Sequence, residues 1–252
     1  MMAVAVERPA PGVLELRLAR PEKKNALTGA MYRHLCDGLR EAAADPQVAV
    51  VLIRAEGEDF CAGNDIGDFL QADGAQAALG FVRALALFDK PLVAAVQGRA
   101  VGIGTTMLLH CDLIYAAPDA RFSTPFVTLG LVPEAAASLL LPARIGATRA
   151  SAMLLLGEPL AAEAAAGAGL VSALVPGDAL AETARAKAAA LAALPRAAVV
   201  ESRRLMRGDR AAIEARIEEE ARCFRAALSG PDAREAFAAF IEKRPPRFGG
   251  AA

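Results

Sequence analysis

Apolar and polar positions along this chain follow two periods in turn. Residues 13–18, Val-Leu-Glu-Leu-Arg-Leu, alternate with period two, which predicts a half-buried strand. A polar turn over 20–27 follows, and Thr28 is an N-cap residue type for a helix running to about Asp45. Met31, Leu35, Leu39 and Ala42 recur along that helix at helical spacing and predict its buried face. Residues 48–53 are continuously apolar, as expected of a strand covered on both sides. The pattern is strand, helix, strand.

It continues in that manner. A loop over 56–68 leads into a helix near 75–88, which Asp89-Lys90-Pro91 breaks. A buried strand at 92–96, a helix over 102–110 and a strand at 112–117 come next, so the alternation predicts an α/β class with parallel strands. Residues 125–133 are apolar and turn-rich, Glu134 opens a helix over 135–144, and 147–156 make another. Beyond Gly177 the chain reads as helices over 178–194, 196–206, 209–229 and 231–243. In the third, Ile213, Ile217, Ala221, Phe224 and Leu228 form a stripe that reads as internal packing. We therefore expect a core over 1–194 and a helical region over 195–252.

Composition narrows the class of partner. The 252 residues are 55% hydrophobic and 23% charged with a net charge of −1, which suits a globular protein and leaves no basic footprint for nucleic acid or an anionic membrane. Mean hydropathy is +0.33, yet no apolar run reaches the roughly 20 residues of a membrane span. The N-terminal residues lack the basic and long apolar regions of a secretory signal, so a cytoplasmic location is expected. Cys36, Cys61, Cys111 and Cys223 are scattered as free thiols would be, and Cys61 reads as a small buried hydrophobe. Small molecules or copies of the same chain are the expected partners.

Two glycine-containing turns carry the candidate chemistry. Phe60-Cys61-Ala62-Gly63-Asn64-Asp65-Ile66 and Gly98-Arg99-Ala100-Val101-Gly102-Ile103-Gly104 each follow an apolar, strand-like run and would leave backbone N–H groups free. Facing one another, they would form an anion hole. Other chemistries lack their supports: His34 and His110 form no metal-ligand pattern with each other or with the cysteines, and there is no Gly-x-Ser-x-Gly elbow or Walker-type Gly-Lys-Ser/Thr. His110, at the end of an apolar helix, reads as a satisfied core residue. Gly98-x-x-x-Gly102-x-Gly104 resembles a dinucleotide loop, but it does not follow the first strand, and neither Tyr32 nor Tyr115 has a lysine four residues on.

Asn25-Ala26-Leu27, the Phe60 to Ile66 motif, Val96-Gln97-Gly98-x-Ala100-x-Gly102, Cys111-Asp112-Leu113-Ile114-Tyr115-Ala116 and Phe240-Ile241-Glu242-Lys243-Arg244-Pro245 resemble the enoyl-CoA hydratase/isomerase (crotonase) superfamily, in its order and over nearly the whole chain. That resemblance implies an α/β spiral of β-β-α repeats with a C-terminal helical region, assembled as a homotrimer or dimer of trimers. It implies an acyl-CoA thioester substrate, no cofactor beyond that coenzyme A, and an enolate held by the amides of Asn64 and Ile103. Carried over by position, Ala62, Gly63, Asp65, Ile66, Gly67 and Gly102 line the CoA entry and the oxyanion loops, and Lys23 or Lys24 and Lys243 or Arg244 meet CoA phosphates.

The side chains then select the reaction. Two glutamates that activate water in similar hydratases are replaced by Thr106 and Phe126. A carboxylate stands instead at Glu134, as in Δ3,Δ2-enoyl-CoA isomerases of the peroxisomal type, where a single glutamate moves a proton from C2 to C4. Leu129, Leu131, Val132 and Phe126 would desolvate it and raise its pKa. Asp68 is a second acid to consider. An isomerase of fatty-acid degradation is the leading expectation; a hydratase or other crotonase-type reaction, and a non-catalytic acyl-CoA-binding protein, are the alternatives.

Overall fold

The computed structural model describes residues 3–69 and 74–249; residues 1–2, 70–73 and 250–252 lie outside the described set. The chain opens with an antiparallel hairpin of β1 (Val4–Ala10) and β2 (Val13–Leu18). Helix α1 (Gly29–Ala44) begins at Thr28, whose hydroxyl accepts from the Met31 N–H, and leads to β3 (Val50–Ala55). Helices α2 (Ile66–Phe69) and α3 (Gly74–Leu87) precede β4 (Leu92–Val96). The short strand β5 (Arg99–Val101), helix α4 (Ile103–Thr106), β6 (Leu113–Ala116) and β7 (Arg121–Ser123) follow. Next come α5 (Ala137–Ile145), α6 (Ala147–Leu156), β8 (Leu160–Ala161), α7 (Ala162–Gly167) and β9 (Ala173–Leu174). Helices α8 (Gly177–Ala192), α9 (Arg196–Arg207), α10 (Arg210–Leu228) and α11 (Pro231–Glu242) close the chain.

The large sheet has the order β1-β2-β3-β4-β6-β9, parallel from β2 onward. After β4 and after β6 the chain leaves it within a few residues and adds a short strand to a second sheet, ordered β5-β7-β8. The segment after β3 makes the same move through one parallel bridge, Cys61 to Ala100. Each turn of the chain is thus a strand, a shorter strand and a helix, and successive turns stack their site-bearing segments side by side.

Both faces of the large sheet are covered, which explains the continuous apolar runs of β3 and β4. Leu14, Leu16, Val51, Ile53, Ala94 and Val96 face the main core with α1 and α3, whereas Val13, Val50, Leu52, Val93 and Ala95 pack with Leu180, Ala184 and Ala188 of α8. The half-buried strand expected at 13–18 is accordingly buried on both sides. Glu15, polar in the pattern, is fully buried and held between Arg54 and Arg185, the latter at 2.8 Å from α8. Two guanidiniums compensate the charge that burial would otherwise penalise.

Strands of two or three residues, β5 and β7 to β9, are too short to show a period and escape a reading of the pattern alone. No helix among the described residues is long and apolar enough to cross a membrane. The turns are packed tightly enough that Gly104, at the start of α4, has no room for a side chain: a Cβ there would lie 2.7 Å from the Cys61 carbonyl oxygen and 2.9 Å from its Cβ. Gly104→Ala should therefore destabilise the protein by about 1–3 kcal/mol in urea denaturation, the cost of overpacking a junction between two backbones; an unchanged midpoint would show that the junction yields.

Candidate active site

The loop after β3 is fixed from below by Asn25. This residue is buried in a left-handed conformation, φ 54°, that asparagine tolerates better than most side chains. Its Nδ2 donates to the carbonyls of Glu56 and Asp59, each at 2.8 Å, and its Oδ1 accepts from the Arg20 N–H at 2.9 Å. Asp59 in turn accepts from the Arg99 guanidinium at 2.8 Å, which ties this loop to β5, and that pairing holds its carboxyl below the usual range. Farther along, the Leu27 N–H donates to the Gly63 carbonyl and the Asp65 N–H to the Leu27 carbonyl, at 2.8 and 2.9 Å. In a parallel bridge of this kind the intervening residue, Asn64, turns its own N–H away from the partner strand. Gly63, at φ 93°, makes the turn.

The second loop is built the same way. Cys61 donates to Arg99 and Val101 to Cys61, both at 2.9 Å, and Gly102, at φ 55°, donates to Ser123. The Thr105 hydroxyl donates to the Ala100 carbonyl at 2.6 Å and accepts from the Ser123 N–H. Ile103 is then the first residue of α4. The N–H groups of Asn64 and Ile103 have no backbone acceptor among the described residues, whereas Asp65 donates to the Leu27 carbonyl and Gly102 to the Ser123 carbonyl. The helix expected over 102–110 is a single α turn continued by a 3-10 turn at Met107–His110, so the free amides themselves, rather than a long helix dipole, supply the local field.

Both amides belong to residues that line a cavity of about 180 Å³. Glu134 and Tyr32 line it too, and among the described lining residues Glu134 is the sole carboxylate. The expected helix over 135–144 begins two residues late, because Ala135 and Ala136 adopt left-handed conformations at φ 60° and 56°. That double turn separates Glu134 from the helix. Thr106 donates its hydroxyl proton to Glu134 Oε1. Glu134 retains some exposed area toward the cavity, yet burial pushes its carboxyl up to about 8, with the Thr106 hydrogen bond opposing and the Glu220 charge reinforcing the shift. Tyr32 is buried, its hydroxyl held well above its ordinary pKa by desolvation, and it donates to Asn64 Oδ1.

Most of the remaining lining is apolar, with Leu79 and Val82 on α3 and Ile217, Ala221 and Phe224 on α10, and Gln76 and Arg225 are its polar members. The stripe on α10 that reads as packing is thus also a cavity wall. Tyr32 carries no chain-level signal beyond its place on the buried face of α1. The segment from Asp68 to Phe88 bounds the cavity, although 70–73 fall outside the described residues. Cys61 is fully buried, its thiol pushed up to about 12, and it behaves as a hydrophobe. His110 is buried with its carbonyl partner, as expected.

Other expected site residues sit outside the cavity lining. Ala62 donates to the Lys24 carbonyl, Asp65 pairs with Arg20 at 2.8 Å, and Ile66 and Gly67 open α2. Asp68, considered as a second acid, accepts from the Gly29 N–H at 2.6 Å and so caps α1. Lys23 and Lys243 are exposed, one in the turn before Lys24 and the other at the end of α11.

The family model for enoyl-CoA hydratase/isomerase matches residues 8–251. The chain belongs to that family. It is 36% identical to 2,3-dehydroadipyl-CoA hydratase of Escherichia coli over 94% of this chain and 95% of that protein. It is 33% identical to 1,2-epoxyphenylacetyl-CoA isomerase of the same organism over 99% of this chain and the whole of the other. Among solved structures, an enoyl-CoA hydratase/isomerase from Pseudoalteromonas atlantica superposes with a TM-score of 0.94 at 40% identity, covering 98% of this chain and all of that one. The crotonase fold and an acyl-CoA enzyme of hydratase/isomerase type follow from these matches, and relatives named for both reactions bracket it.

The raised pKa of Glu134 makes stability depend on pH. The carboxyl ionises near 4.5 when unfolded and near 8 in the fold, so the folded state holds a proton that the unfolded state has lost, and stability falls as pH rises through that window. Glu134→Gln removes this loss. Its melting temperature relative to the parent should be higher at pH 9 than at pH 4.5; a difference independent of pH would mean that the carboxyl is not elevated.

Proposed function

We propose that this member of the family is a Δ3,Δ2-enoyl-CoA isomerase with Glu134 as its single base. The observation that carries the reading is the pairing of one cavity carboxylate with a neutral hydroxyl, Glu134 with Thr106, where water addition would want a second acid. In this mechanism the thioester carbonyl of a 3-enoyl-CoA lies against the amides of Asn64 and Ile103. Glu134 takes a proton from C2, the released C–H electron pair forms the C1–C2 double bond of a dienolate in which the C3–C4 double bond is retained, and negative charge builds on the carbonyl oxygen. The two donors stabilise that charge, each worth about 3–4 kcal/mol in comparable sites. Glu134 then returns its proton to C4, leaving the double bond between C2 and C3.

The elevated carboxyl suits both halves of the transfer. At about 8 its affinity for a proton is high enough to accept one from carbon and low enough to release it near neutral pH. Thr106, by occupying Oε1, leaves the other oxygen for substrate. The CoA contacts of Lys23, Lys243 and the loop residues 62–67, and assembly as a homotrimer or dimer of trimers in the cytoplasm, belong to the same reading; the exposed Leu205 and Met206 on α9 support self-association by offering apolar surface.

Glu134→Gln should lower kcat on 3-enoyl-CoA by about 10²–10⁴-fold, the usual contribution of a positioned proton-transfer group. In the parent, activity should rise with pH through a limb near 8, where the base loses its proton. Full activity of Glu134→Gln would remove this residue from the mechanism. Efficient hydration of 2-enoyl-CoA would favour the hydratase reading, and binding of acyl-CoA without turnover of either substrate a non-catalytic one.

A further inference from the structure

Glu134 is delivered to the cavity by a turn that its own residues do not favour. Ala135 and Ala136 are consecutive left-handed residues without a glycine between them, a conformation that persists only where the surroundings enforce it. Two buried titratable groups that the proposed chemistry does not use close on this turn. From one side, His110 Nε2 lies 2.9 Å from the Ala135 carbonyl oxygen. A carbonyl can only accept, and burial depresses the imidazole to about 3, so the ring is neutral with its proton on Nε2. From the other side, Glu220 on α10 reaches the first turn of α5: its Oε1 accepts from the Ser138 N–H at 2.9 Å and from the Ser138 hydroxyl at 2.5 Å.

Helix α5 needs such a partner. Its N-cap residue is Ala136, which offers no side-chain acceptor, and while the Ala137 and Leu139 amides find backbone carbonyls, the Ser138 amide is met by a carboxylate from another helix. Glu220 is itself only 6% exposed, and its Oε2 has no hydrogen-bond partner among the described residues. A buried carboxylate so incompletely satisfied is costly to retain for stability alone. Arg216, one turn earlier on α10, approaches the same Ser138 hydroxyl at 3.4 Å and is the nearby cation.

We propose that Glu220, with His110 behind it, is a positioning residue for the base: by capping α5 at Ser138 it holds the Ala135–Ala136 turn that aims Glu134 into the cavity. This inference rests on the reading of Glu134 as the base. What matters in it is the reach of the side chain to Ser138 rather than its charge, and two small substitutions separate these properties. Glu220→Gln keeps the reach and an acceptor oxygen but removes the charge. Glu220→Asp keeps the charge and withdraws the acceptor by one methylene.

Steady-state kinetics of both variants on 3-enoyl-CoA, with melting temperatures recorded alongside, test the proposal. Glu220→Asp should lower kcat by about 10–100-fold, as misplacement of a reacting group does, with KM within about twofold of the parent. Glu220→Gln should retain kcat within about threefold. Glu220→Asp with parental kcat would overturn the proposal, as would a Gln variant that falls as far as the Asp variant. Loss of the native fold in both would assign Glu220 to stability and overturn it equally. Glu134→Gln measured in parallel distinguishes the two levels: if it stays active the base reading fails, whereas an inactive Glu134→Gln beside a fully active Glu220→Asp removes only the positioning role.

Discussion

The site depends on two backbone amides, those of Asn64 and Ile103, that have no backbone partner among the described residues. An unpaired buried N–H is expensive, so such groups persist only where the surrounding register enforces them. Here the enforcement is parallel pairing between successive turns of the chain. Leu27 bonds to the residues on either side of Asn64, and Cys61 bonds to those on either side of Ala100, just before Ile103. A slip of one residue in the first pairing would turn the Asn64 amide onto Leu27 and close it. The absence of a side chain at Gly104 lets the two segments approach closely enough for that register to be kept.

The second dependence runs through α10. This helix places Ile217, Ala221 and Phe224 on the cavity and Glu220 on the start of α5, so one rigid element borders both the acyl space and the carboxylate. Its packing against α3, which supplies the opposite apolar wall, fixes the separation of the two. Phe224 also meets Phe69 of α2 edge-on at 6.1 Å, which links the wall to the helix that follows the first loop. Helix α10 of the C-terminal region is therefore a structural member of the site.

Much of this was readable from the chain because it is encoded locally. Glycines at 63, 98 and 102 after apolar runs mark turns that only glycine makes easily, and Thr28 followed by a 3.6-residue period marks α1. What escaped is encoded by partners distant in the chain. Glu15 looks like a solvated strand position until Arg54 and Arg185 converge on it. The left-handed pair at Ala135–Ala136 has no compositional mark, since alanine ordinarily favours the helix that was expected there, and the support comes from His110 and Glu220, 25 and 84 residues from Ala135 and Ala136 respectively by numbering. The stripe on α10 was visible as a period, but whether it faces core or cavity is decided by α3.

The identity of residue 106 links this architecture to the choice of reaction. A glutamate within hydrogen-bond reach of Glu134 would place two carboxyl groups where only one could ionise readily, and the pair would divide into an acid and a base, the arrangement that adds water across a double bond. Threonine can donate to Glu134 but cannot carry a charge or hold a second transferable proton near neutral pH. The remaining carboxylate is then governed by burial, which outweighs the opposing Thr106 hydrogen bond and brings it to about 8. A lone group of that basicity, lining one cavity with Asn64 and Ile103, is suited to taking a proton from one carbon and delivering the same proton to another. In the proposed isomerase, what Thr106 withholds is therefore as important as the hydrogen bond it supplies.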